Sequence, residues 1–349
     1  MHGDSTSVDM ISASALNQLA KEEIISSLEG NQHRASGFSE PSFLISEQLE
    51  KRRTDLEKLL GGSGTIWFTS GADESATWAI RGLLSTNSKN GNKIEVKEDS
   101  HISLINSAKR YGGDSGKIVI VAASAMDIET GRILNFNDWN DDIINRHESP
   151  RKILDARGTI GRMPLNEMSQ FADAIILDSE SFGGPTGVGA LWIKHGIRIQ
   201  PLIEGSGQEK GRRGGTVPVG LVNAFVKVAL ELEEKRIENT KLWNELHNKL
   251  EKEILQHGGE IFGKNQERVP GITCFSIPGP PAEIFLQHLE QKGFIAAPSS
   301  GCTATAGKPS HVLTSMGVEN DTALRAIRIS LQPNTTEETL ENLIDALLN

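Results

Sequence analysis

The chain has 349 residues, 37% of them apolar and 23% charged, and a formal net charge of −10, a globular balance with room for one large domain and a smaller one. This acidity excludes a phosphate-neutralising surface, because nucleic-acid binding needs clustered Lys and Arg, and the one basic knot, Lys210-Gly211-Arg212-Arg213, is too short to supply it. Apolar runs such as Ile118 to Ala123 fall well below the about 20 residues of a membrane span, Met1 to Ala20 lacks a basic-then-apolar leader, and two cysteines, Cys274 and Cys302, cannot build a disulfide framework. The expectation is a soluble cytoplasmic protein with reduced thiols and neither nucleic acid nor membrane as partner.

Helical spacing of apolar residues predicts helices over 14–30 and 42–60 (Leu44, Ile45, Leu49, Leu56, Leu59, Leu60), broken by Gly61-Gly62-Ser63-Gly64. Thr65 to Thr69 reads as a short strand, and Ser70-Gly71-Ala72 opens a helix from Asp73 to about Leu84. Strand and helix then alternate: Lys93 to Val96, a helix from Ser103 to Tyr111, Lys117 to Ala122, Ile153 to Asp155, Ala174 to Leu177. Gly183-Gly184-Pro185 turns the chain back into Val188 to Trp192. Such alternation implies a largely parallel sheet covered on both faces.

Val219 to Gln256, rich in Glu, Lys and Leu, predicts one long helix or two in series, and marks a boundary between a large domain over 12–235 and a smaller one made of 1–11 and 236–349. In the latter, Ile272 to Ile277, a helix from Pro281 to Lys292, Ala323 to Leu331 and a helix from Thr336 form a second α/β pattern.

Several segments, in order from about residue 42 onward, carry a family resemblance. Phe68-Thr69-Ser70-Gly71-Ala72-Asp73-Glu74-Ser75 is similar to FTSGATES, and Asp155, Gly161 and Pro164 fit DATQSVGKLP. Gly184-Pro185 through Leu191, Gly205 through Pro218, and Cys302-Thr303 followed by Pro309-Ser310-His311-Val312-Leu313 continue the series. Together they resemble the cysteine desulfurases, pyridoxal-phosphate enzymes of the class V aminotransferase group. The resemblance implies an α/β fold of PLP-transferase fold type I, with a mostly parallel seven-stranded sheet, helices on both faces and a smaller C-terminal α/β domain.

It also implies roles. Asp155 matches the partner of the coenzyme's pyridinium nitrogen, and His101 the histidine that stacks on its ring. Ser70, Gly71, Ala72 and Asp73 match the phosphate-binding helix start. Arg213 and Thr216 match positions near the coenzyme, the threonine reaching a neighbouring subunit's phosphate across a dimer interface. Arg328 matches the arginine that clamps a substrate carboxylate, and Cys302, in a loop of small residues, the cysteine that carries persulfide. From residue type alone, Asp155 also reads as a helix cap, His101 as a surface or core histidine, and Cys302 as a buried thiol. Cys274, in Ile272 to Ser276, reads as a packed strand residue.

Other positions depart from the family. The Schiff-base lysine falls on Ser181, which has no amine, preceded by Glu180; the phosphate-binding threonine becomes Asp73; and Asp178 adds a third acid. A carboxylate at a helix start suits the helix and repels a phosphate. Neither Lys194 nor Lys210 stands where it can replace the missing amine. Three functions stay open: a subunit of sulfur transfer or iron–sulfur assembly acting through Cys302, as homodimer or as heterodimer with an active paralogue, delivering sulfur to an acceptor or scaffold protein; a working desulfurase yielding alanine and a persulfide on Cys302; or a pocket in which Asp73, Asp178 and Glu180 read a cationic ligand, against the plainer reading of a solvated acidic rim. No metal-ligand spacing is present.

Overall fold

Ala174 to Asp178 carries four apolar side chains before its acid, and all five positions are buried, the pattern of a strand covered on both faces. In the computed structural model, which describes residues 6–13, 16–29, 34–87, 91–299 and 307–348, this is the fifth strand of a six-stranded sheet. The strands are β1 (Gly64–Thr69), β2 (Lys93–Val96), β3 (Ile118–Ser124), β4 (Arg151–Asp155), β5 (Ala174–Asp178) and β6 (Gly189–Lys194). Their order is β1-β6-β5-β4-β3-β2. β2 to β5 pair in parallel, and β6 and β1 are antiparallel additions.

The expected seventh strand is absent among the described residues. Only residues 112–117 join the helix α4 (Ile102–Tyr111) to β3, too few for a further strand with its crossover, so β2 lies at the edge. The chain divides into two units, Leu16–Ala125 with Leu134–Glu234, and Met1–Ala15 with Met126–Ile133 and Lys235–Asn349. The larger unit holds this sheet.

One face of the sheet is covered by α3 (Ala72–Asn87), whose Ala76, Ala79, Ile80 and Leu83 repeat at helical spacing and meet Ile120, Ala122, Ile153, Ile176 and Leu191. Helices α1 (Gln18–Glu29) and α2 (Glu40–Leu59) both pack against α6 (Val219–Glu234). Ser39 caps α2, accepting from Ser42 N, with Pro41 in the first turn. A helix absent from the sequence reading, α5 (Phe136–Arg146), is capped by Asn135 and buries only Trp139 and Ile143. Its many polar residues hid that single i, i+4 pair.

The smaller unit has a four-stranded antiparallel sheet in the order Ala297–Pro298, Ile327–Ser330, Ile272–Ser276, Glu260–Ile261. Its core joins Trp243, Leu250, Phe275, Leu289, Ile329 and Leu343. Thr6–Ser7 pairs in parallel with Phe294–Ile295, so the start of the chain belongs to this unit. The strand predicted over 323–331 is shorter, because Asn320–Leu324 is helical and places Ala323 and Ala326 against Leu313 and Cys274. The predicted long helix is two, Val219–Glu234 and Arg236–Gln256, interrupted at Lys235.

Candidate active site

In the larger unit the carboxyl ends of β3, β4 and β5 bring Ser124, Asp155 and Asp178 to one edge of the sheet, the place where open α/β sheets build their sites. His101 sits at the start of α4, its Nδ1 2.9 Å from Ser103 Oγ, and its own backbone N–H donates to Ser124 Oγ at 2.9 Å. Asp73 lies in the first turn of α3. Ser181 follows β5 in a single 3-10 turn, where its N–H donates to Asp178 Oδ2 at 3.0 Å. Gly158 N–H donates to the other oxygen of Asp178 at 3.1 Å. Gly189 is required opposite this turn, since a Cβ there would come within 2.7 Å of the Gly71 backbone.

A residue that sequence reasoning passed over occupies the centre. Arg157 is 8% exposed, and its Nε donates to both oxygens of Asp155, at 3.1 and 2.9 Å. One terminal nitrogen reaches Asp73 Oδ1 at 3.1 Å and His101 Nε2 at 3.0 Å, and the other reaches Ser103 Oγ at 2.8 Å. Because a guanidinium only donates, His101 Nε2 must accept. One planar cation therefore gathers Asp155, His101 and Asp73, three of the residues that the resemblance assigned to a coenzyme. The signal was present in Asp155-Ala156-Arg157-Gly158, where an ionised side chain stands in place of the threonine of DATQ.

The charges around this fork are uneven. Partial burial pushes the Asp73 carboxyl up, but Arg157 beside it holds it below the usual range. Glu180 moves upward, through burial first and then through the nearby Asp178 charge. Arg162 donates to the carbonyls of Gly158 at 2.8 Å and Ser181 at 3.3 Å, bracing the turn. Ser181 itself is 3% exposed, and among the described residues its Oγ has no hydrogen-bond partner. The position offers a buried hydroxyl and no amine.

The start of α3 is occupied by the chain's own acids. Glu74 accepts from Ser70 N–H at 2.7 Å and binds Arg213 through Nε and Nη2 at 2.9 and 3.0 Å. Arg213 thus meets a carboxylate at the helix end where the resemblance places a phosphate, and Thr216 is exposed. The loop that carries them is anchored by Glu209, bidentate to buried Arg53 at 2.9 and 2.9 Å and accepting from Phe68 N–H at 2.8 Å. Gly71 and Ala72 form the junction between β1 and α3.

The sequence profile of the family described as "Aminotransferase class-V" matches residues 12–125 and 115–343. The chain belongs to the class V aminotransferase family. Relatives named cysteine desulfurase include one from Clostridium botulinum, 29% identical over 344 residues, covering 89% of this chain and 86% of its own length. Another, from Archaeoglobus fulgidus, is 28% identical over 331 residues, covering 87% of this chain and 86% of its own. A solved structure titled a NifS-like protein superposes with a TM-score of 0.89 over 98% of both chains at 24% identity, a likeness of fold.

In the smaller unit, Arg328 lies in Ile327–Ser330 and is fully buried. Cys274 is packed in the adjacent strand, with burial pushing its thiol well up. Cys302 falls outside the described residues. Among those described, no helix is long and apolar enough to cross a membrane, and no cluster of His, Cys, Asp or Glu could hold a metal ion.

Proposed function

We propose that this class V aminotransferase-fold protein works without a coenzyme aldimine, its pocket filled by Arg157, and serves as a subunit of sulfur transfer or iron–sulfur assembly through Cys302. The observation that carries the first half is the Arg157 fork on Asp155, Asp73 and His101. Pyridoxal phosphate makes three demands of its site: an amine for the Schiff base, a free acid for the ring nitrogen and donors for the phosphate. The side chains here do not fit it. Ser181 has no amine, Asp155 is already bidentate to a buried cation, and Asp73 and Glu74 face the phosphate end with like charge.

Occupancy by the coenzyme would require expelling Arg157 from Asp155, and leaving that buried carboxylate without its cation costs about 2–3 kcal/mol. The acids Asp73, Asp178 and Glu180 read a cation in this scheme, and that cation is the chain's own. With its chemistry silent, the subunit would act by binding, either as a homodimer or beside an active paralogue, and pass sulfur on Cys302 to an acceptor or scaffold protein.

The test is spectroscopic. Protein titrated with pyridoxal phosphate should develop no aldimine band and fix no coenzyme on borohydride reduction. A covalent adduct on any lysine ends this reading. The likeness to enzymes named cysteine desulfurase favours a second reading, a working desulfurase. Release of alanine from L-cysteine with added coenzyme, matched by an equal amount of sulfide when a dithiol is present to reduce the enzyme persulfide, would establish it.

A further inference from the structure

The helix Ala282–Gln291 carries two stripes of side chains at helical spacing. Ala282, Phe285 and Leu289 pack into the core of the smaller unit. Glu283, Leu286, Gln287 and Glu290, at i, i+3, i+4 and i+7, instead line a cavity of about 360 Å³. Phe294, Ile295, Pro298 and Leu324 add apolar surface from two short strands and the helix Asn320–Leu324, all within the smaller unit. Size and lining are those of a binding pocket.

The hydroxyls of the lining are tied into the fold. Ser310 Oγ donates to Glu129 Oε2 at 2.5 Å and accepts from the Val312 and Leu313 N–H groups at 3.1 and 3.2 Å, which uses its one proton and both lone pairs. Ser299 is hydrogen-bonded to the same Glu129 carboxyl. The charges of the lining are open. Glu283, Glu290 and Lys308 are exposed, and none of them has an ion-pair partner among the described residues. Glu283 and Glu290 stand about 10 Å apart along the helix. Lys308 is the one cation among the described lining residues, so acids outnumber it two to one. Ile284, next to Glu283, is 56% exposed, and Ile295 is 37% exposed, so apolar surface continues from the cavity to solvent. A hole of this kind takes one large side chain of another protein, as interface anchors do, and its unpaired acids select bases on that protein.

We infer that this cavity is a docking site for a segment of a partner protein, which inserts one large apolar side chain against Leu286 and Phe294 and sets a basic residue on each side of that anchor against Glu283 and Glu290. The lining includes Ser299 and Gly307, which flank the stretch bearing Cys302 in sequence, so in the functional reading above this partner is the sulfur acceptor. That identification rests on that reading. The docking does not, and it is measured with neither sulfur nor coenzyme.

Fluorescein-labelled Lys-Gly-Phe-Gly-Lys, followed by anisotropy against the full chain at low salt, should bind saturably. Unlabelled Glu-Gly-Phe-Gly-Glu and Lys-Gly-Ser-Gly-Lys should each displace it roughly tenfold less well than the unlabelled parent peptide. The double variant Glu283→Lys, Glu290→Lys, with its fold verified by a thermal melt, should bind the basic peptide about tenfold more weakly and prefer the acidic one. No saturable binding by folded wild type overturns the inference, as does binding that the charge reversal leaves unchanged or that the serine peptide matches. If the double variant does not fold, Glu283→Gln and Glu290→Gln replace it: weakening of roughly threefold in each supports the inference, and wild-type binding by both overturns it.

Discussion

Two buried arginines, one in each unit, solve the same electrostatic problem differently. Arg328 is sealed: one acid, Asp9, supplies both oxygens, and neither side chain is more than 1% exposed. Arg157 is shared among Asp155, Asp73, His101 and Ser103, and the side chain of Asp73 is 76% exposed. A pair closed off from water depends wholly on its partner, because neither charge can be resolvated when the other is removed. A fork that ends at solvent can lose its outer contact to water with small loss. Mutation should therefore be felt most at the sealed pair and least at the exposed end of the fork.

The largest effect is expected from Asp9→Ala, which strands a buried guanidinium and should lower unfolding free energy in urea by about 3–5 kcal/mol. Replacing both partners, Asp9→Ala with Arg328→Met, should recover much of that loss. If the double variant is as unstable as the single, the arginine was not the source of the cost. Next comes Arg157→Ala, which leaves Asp155 buried without its cation, at roughly 2–3 kcal/mol. Arg157→Thr combined with Ser181→Lys and Asp73→Thr should give borohydride-fixable coenzyme, whereas the last two changes without Arg157→Thr should not. Equal binding by both would show that Arg157 does not block the pocket.

A smaller effect concerns pH. Burial, and then repulsion by Asp127, pushes the Glu129 carboxyl up to about 8, from an ordinary 4.5. The folded chain thus keeps a proton that the unfolded chain releases between those values. The stabilisation is complete below 4.5 and is lost as pH rises to about 8. Glu129→Gln keeps the acceptor for Ser310 Oγ and cannot ionise, so it should flatten this slope in a pH series of urea melts. Parallel pH profiles for the two proteins would remove Glu129 as its cause. The smallest effect is expected from Asp73→Asn, under about 1 kcal/mol, because its contact with Arg157 is open to water; a larger loss would put Asp73 on a par with Asp155 in holding the fork.

These contrasts mark how far local patterns reach. Asp155, Asp178, His101 and Asp73 could be placed near one another because each ends a strand or begins a helix, and parallel strands deliver their carboxyl ends to one edge. Arg157 shared the neighbourhood, but nothing in a two-residue spacing says that a guanidinium folds back onto Asp155 and spans to two other elements. Asp9 offered less still: a lone acid in Val8-Asp9-Met10-Ile11 looks the same whether it faces water or an arginine near the other end of the chain. The seventh strand failed for the opposite reason. It was implied by the family, while the six residues at 112–117 leave no length for it.

The order of strands and helices, the family's motifs and the absence of an amine at position 181 belong to the linear chain alone, because hydrophobic period and residue chemistry are local properties. Which acids received the two buried cations was decided only in three dimensions. An ion pair forms where folding removes water from both partners at once, and the positions that meet there, 155 with 157 and 9 with 328, are chosen by sheet register and strand pairing, not by any distance along the sequence.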